Sequence, residues 1–181
     1  MTNGLAAPLI IALGCVALSV RPAASMAGLL VIVAVGLAGA FLPLPPRTNT
    51  SAGPVTDRPV IARWLMVTAV GVAAFAAARA LATPVHPPAT IVAAGATVLA
   101  AIAEEAFFRR LVHGWLGQWG AGIAVVGAAL LFALVHIPGY GTRVVPLNMA
   151  AGLLLGWQRW ASGGWSAPAL THAVANLLQM G

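Results

Sequence analysis

Apolar, helix-compatible runs recur along this chain at residues 5–20, 23–44, 61–81, 89–115, 123–137, 144–160 and 166–180. Each ends at residues that stop or interrupt a helix. Arg21-Pro22 follows the first run, prolines 84, 87 and 88 precede the fourth, and Gly117 to Gly122, Pro138-Gly139 and Ser162-Gly163-Gly164 separate the later ones. The one extended polar stretch, residues 45–59, is rich in Pro, Thr, Ser and Asn and is the best place for a flexible boundary. A hydrocarbon layer takes about 20 residues to cross. The pattern therefore predicts an all-α, polytopic integral membrane bundle of about seven transmembrane helices. It divides into N-terminal transmembrane helices at 1–88 and a later helical core at 89–181, within a single membrane domain.

Composition sharpens that picture. Hydrophobic residues make up 61% of the 181 positions and charged residues only 7%, which excludes an ordinary soluble domain. The net charge of +6 comes from nine arginines without a single lysine. They are scattered between apolar runs and do not gather on one face, so the expected partner is the lipid bilayer and nucleic acid is not a partner. With seven crossings, Arg47, Arg58, Arg63, Arg109, Arg110 and Arg159 fall toward one side and Arg21, Arg79 and Arg143 toward the other. The positive-inside bias then gives a cytoplasmic amino end and a multi-pass protein of the cell membrane. No basic residue precedes the first run, so it reads as a retained span and not as a cleaved signal. The six tryptophans sit near predicted helix ends, where interfacial anchoring accounts for them. Cys15 stands alone and reads as a small apolar residue. His86, between prolines, reads as a solvated loop residue.

Against this background residues 103–110 stand out: Ala-Glu-Glu-Ala-Phe-Phe-Arg-Arg. Asp57 is the only other acidic residue. Each charge placed at the centre of a membrane helix costs about 2.5–3.5 kcal/mol on insertion scales, so an intramembrane cluster is a functional-site hypothesis by default. The polar residues of the later runs fall into three groups, each built on a separation of four: Glu105 with Arg109, His136 with Phe132 one turn before it, and His172 with Asn176. That spacing puts both members on one helix face. If the fourth and fifth runs form a hairpin turning near Trp119, Glu104 lies 15 residues before the turn and His136 lies 17 after it. At about 1.5 Å per residue their depths differ by only about 3 Å.

Each group has a structural reading beside the functional one. Glu105 and Arg109 can be an ion pair that lowers the insertion cost, a lone intramembrane histidine can be a satisfied interhelical hydrogen-bonding group, Phe132 can be packing, and Asn176 can join helices. Glu104 differs, because position 108 is Phe and no arginine lies one turn away. Together the residues supply a carboxylate to take a proton from water, an imidazole to position that water, and donors for a developing oxyanion. No serine or cysteine shares such a stripe, so covalent acyl transfer lacks a nucleophile.

Glu104-Glu105-Ala106-Phe107-Phe108-Arg109, then Phe132 to His136, then His172 to Asn176, resemble the three ordered motifs of the CPBP family of intramembrane proteases, which includes the type II CAAX prenyl endopeptidases. The resemblance covers residues 98–178. It implies that Glu104 is the general base, that His136 helps it activate water, that His172 and Asn176 form the oxyanion site, and that Glu105 and Arg109 support them. Arg110 departs from the glycine that relatives commonly carry there, which bears on local packing or access.

The expected activity is endopeptidase cleavage of a membrane-associated peptide or protein. No cofactor is expected, and metal-free hydrolysis is favoured. Zinc held by Glu104, His136 and His172 is the alternative, since two histidines and a glutamate form an acceptable catalytic set. A proton-coupled transporter or relay, or a non-catalytic scaffold of the bacteriocin-immunity kind, are the rival functions.

Overall fold

Local sequence chemistry sets several of the helix starts. Ser25 accepts from the Gly28 amide at 3.0 Å and Thr90 from the Ala93 amide at 3.2 Å, each satisfying an amide that the first helical turn leaves unpaired. The computed structural model describes residues 6–22, 25–44, 59–81 and 90–180. The flexible boundary expected within 45–59, the turn around His86 and the 88/89 division therefore lie almost wholly outside the described residues.

Among the described residues all regular structure is helical. The helices are α1 (Ala6–Val20), α2 (Met26–Phe41), α3 (Val60–Leu81), α4 (Ile91–Glu105), α5 (His113–Leu116), α6 (Ala121–Leu134), α7 (Ile137–Tyr140), α8 (Val145–Ser162) and α9 (Ser166–Leu178). A π-helical segment (Ala106–Val112) joins α4 to α5, and a 3-10 turn (Gly117–Trp119) extends the rod further. The break comes at Gly120, whose φ of 112° suits glycine and almost no other residue. Two continuous helical stretches, Val60–Leu81 and Ile91–Trp119, are long and apolar enough to cross a membrane by length and composition, whereas α1, α2 and α6 are apolar but shorter. The second expected run, 23–44, is trimmed to α2, and the fifth, 123–137, gives way after Leu134 to the short α7.

Contacts between helices fix their relative directions. Arg21 meets Glu104 while Gly14 meets Phe107, so α1 runs antiparallel to α4 and its π continuation. Gly36 lies on Ala103 and Gly39 on Ala106, so α2 runs parallel to α4. Leu116 packs at Gly127 and Phe108 at Phe132, which makes α6 antiparallel to that rod, and Gly152 on Ala129 with Gly156 on Val125 makes α8 antiparallel to α6. Gln158 donates to the Val67 carbonyl and Arg63 to that of Ser162, so α3 opposes α8. Finally Trp64 donates to Ser166 and Arg79 to the Leu178 carbonyl, which aligns α3 with α9. Each successive long helix thus reverses the direction of the one before it.

The core gathers on the π segment. Phe107, Phe108, Leu111 and Val112 are fully buried against Ile11, Leu18, Ile32, Ala128 and Phe132. Close approach there depends on α2 glycines: a methyl at Gly39 would stand 2.6 Å from the Ala106 oxygen and the Phe107 Cα. Backbone cannot yield as a side-chain tip can. Gly39→Ala is therefore expected to destabilise the protein by about 1–3 kcal/mol, the usual range for overpacking, visible as a lower thermal midpoint in detergent. An unchanged midpoint would mean that α2 does not seat on the π segment.

Arg110 ties the same two elements. Its Nη1 donates to the carbonyls of Gly39 at 2.6 Å and Leu42 at 3.0 Å, where α2 runs out of intrahelical donors. The residue that departs from the family pattern is thus a cap on the end of α2.

Candidate active site

Glu104 and Glu105 close α4 and lead into the π segment, and adjacent helical positions point their side chains in different directions. The two carboxylates accordingly enter different surroundings. Glu105 and Arg109 are completely buried, with Arg109 Nε 3.1 Å from Glu105 Oε2 in an alignment that makes a charge contact and no hydrogen bond. Glu105 Oε1 accepts from His172 Nδ1 at 2.9 Å. The Arg109 guanidinium lies over the Phe132 ring, 4.6 Å from its centroid, and Nη2 reaches the Gly152 carbonyl at 3.5 Å. Its Nη1 has no hydrogen-bond partner among the described residues. Below it, Arg159 Nε donates at 3.0 Å to the backbone oxygen of Arg109. The wider turn of a π-helix leaves carbonyls poorly matched to the α ladder, and Arg159 satisfies one of them.

Glu104 faces the less enclosed side, with 9% of its side chain accessible against none for Glu105. Its Oε1 lies 3.3 Å from Arg21 Nη2, and its Oε2 lies 4.0 Å from His136 Nε2. His136 sits where α6 has ended, and its Nδ1 is 2.7 Å from the Phe132 carbonyl. A carbonyl can only accept, so Nδ1 carries the proton of the neutral ring and Nε2 turns a lone pair toward Glu104. Phe132 lines both imidazoles, with ring centroids 4.7 Å from His136 and 5.8 Å from His172. Asn176 is half-buried one turn beyond His172 and makes no side-chain hydrogen bond among the described residues.

Glu104 and His136 are brought together, as the hairpin spacing anticipates, and Glu105 pairs with Arg109. Two contacts go beyond what the spacing offers. His172 bonds to Glu105, because α9 packs on the Glu105 side of α4. Glu104, which has no arginine one turn away on its own helix, meets one from the turn after α1; Arg21, expected only to flank a span, is drawn in to it. Arg109, Arg110 and Arg159 likewise have internal partners, so none of these four arginines is explained by membrane orientation alone.

Glu104, His136 and His172 do not all turn a donor atom to one point in this arrangement. A catalytic zinc needs its donor atoms at about 2.0–2.2 Å from one point. Here His172 turns Nδ1 to Glu105, and among the described residues no three His, Cys, Asp or Glu side chains converge to hold an ion.

A family model described as "Type II CAAX prenyl endopeptidase Rce1-like" matches residues 84–178. No curated protein and no solved structure matches the chain.

Proposed function

We propose that this chain, which belongs to the Rce1-like type II CAAX prenyl endopeptidase family, hydrolyses a peptide bond of a membrane-associated protein or peptide. The observation that carries the proposal is the pairing of Glu104 with His136 across a 4.0 Å gap, beside a sealed Glu105–Arg109 pair that His172 joins from its more open side. A separation of that size is what two groups show when both hydrogen-bond, at about 2.8 Å, to one water set off the line between them.

From there Glu104 takes a proton as the water oxygen bonds to the scissile carbonyl carbon. His136 Nε2 holds the second water hydrogen and keeps the oxygen aimed. The carbonyl electrons move onto oxygen, and His172 and Asn176 are the donors proposed for that charge. Asn176 donates in its ordinary neutral form, whereas His172 donates from Nε2 only when its ring carries both protons, since Nδ1 is committed to Glu105. Collapse of the tetrahedral species breaks the C–N bond, and the proton on Glu104 passes to the leaving amine. The carboxylate is then regenerated.

The reading includes seven crossings of the cell membrane by α1, α2, α3, the α4-to-Trp119 rod, α6, α8 and α9. Alternation of direction along the chain supports it, because short connections between successive spans require it. Exposed Leu81, Ile91, Val92, Val60 and Ile61 supply apolar surface suited to lipid.

The test compares peptides released from membranes carrying the wild type or an inactive Glu104 variant. Fragments unique to the wild type support hydrolysis. Flux driven by a pH gradient in sealed vesicles, with no fragment released, would support transport in its place. The step proposed for Glu104 and His136 passes through no metal, and on that reading turnover is expected to survive exhaustive dialysis against a chelator. Loss of activity on dialysis, with recovery on adding zinc, would overturn the metal-free mechanism.

A further inference from the structure

Arg21 lies outside the region that matches the family model, at the turn between α1 and α2, and reaches Glu104 across 83 positions of sequence. Its Nη2 stands 3.3 Å from Glu104 Oε1 and its Nη1 donates to the Leu18 carbonyl, which closes the last turn of α1 and anchors the guanidinium. Only 11% of the side chain is accessible. Glu104 Oε1 therefore has a fixed cationic partner, and this leaves Oε2 as the oxygen that faces His136.

We propose that Arg21 is a positioning residue for the Glu104 carboxylate. By holding Oε1 it sets the rotation of the carboxyl group, keeps Oε2 turned to the water site, and makes the active site a joint product of both halves of the chain. This rests on the hydrolytic reading for its effect on turnover, but the pairing itself is independent of that reading. An arginine suits the task because its planar fork can hold a carboxylate oxygen and a backbone carbonyl at once, whereas a lysine ammonium presents a single point charge. The α1 anchor is close by: Gly14, about two helical turns back from Arg21, lets the Phe107 ring approach, and Phe107 follows Glu104 by three residues.

The experiment uses the full chain purified in detergent, with Arg21→Gln, Arg21→Lys and Arg21→Ala. Arg21→Gln is expected to lower kcat by about tenfold with KM nearly unchanged, since an interaction that orients a reacting group is felt in the transition state. Arg21→Lys is expected to recover part of the loss, and added methylguanidinium to raise the activity of Arg21→Ala. A second measurement does not depend on turnover. In a Cys15→Ala background, Arg21→Cys with Glu104→Cys should be joined by a short bis-thiosulfonate reagent, read as a cross-linked peptide by mass spectrometry. Failure of the two positions to cross-link would overturn the proposal, as would an unchanged kcat in an active Arg21→Gln. Cross-linking as expected beside a wild-type protein that cleaves nothing would defeat the protease reading while supporting the pairing.

Discussion

Glu104→Gln is expected to lower peptide hydrolysis by about 10²–10⁴-fold, the span that removal of a general base commonly costs. The substitution keeps the shape of the side chain, and its amide oxygen can still accept from Arg21. What it loses is the capacity to take a proton from water. Thermal unfolding of the variant in detergent should stay close to that of the wild type, because Glu104 is not among the fully sealed charges. Cleavage assays with a reconstituted peptide library, run beside the unfolding measurement, separate chemistry from folding. A Glu104→Gln protein that turns over at the wild-type rate would remove Glu104 from the role of base.

The second large effect concerns stability. Arg109→Met removes one member of a fully buried pair and leaves Glu105 with only His172 as a partner. Breaking a buried pair from one side typically costs about 3–5 kcal/mol, because the remaining charge is stranded without solvent. The lower part of that range is expected here, since His172 still donates to Glu105. The double variant Glu105→Gln with Arg109→Met strands no charge and should regain most of the lost stability. If Arg109→Met melted with the wild type, the pair would contribute nothing to the fold. The contrast with Glu104 is instructive: of two neighbouring carboxylates, one is expected to matter for rate and the other for integrity.

Much of this arrangement can be read from the chain before folding. Apolar run lengths locate the long helices, and counting residues either side of Trp119 is enough to bring Glu104 and His136 to one depth. The Glu105–Arg109 pair follows from a separation of four. Other features have no local signal. Arg21 reaches Glu104 through a tertiary contact, and nothing around Arg21-Pro22 distinguishes it from an interfacial arginine. Spacing alone does not decide which glutamate meets His172, because adjacent helical positions differ by about 100° and the outcome depends on the side from which α9 packs. The π segment is equally silent, since Ala106–Val112 contains neither Pro nor Gly and every residue in it is acceptable in an α-helix.

That wider turn gives the spacing of the chain a meaning separate from the identity of its residues. In an α-helix each residue advances the face by about 100°, and a π turn carries one residue more in each hydrogen-bonded ring. Losing one residue from Ala106–Val112 would let the stretch relax into α geometry with little net rotation, so the residues on either side of it would keep their faces. What would go is the displaced carbonyl of Arg109 that Arg159 now meets. The extra residue of this segment therefore serves the seam with α8 and not the aim of the carboxylates.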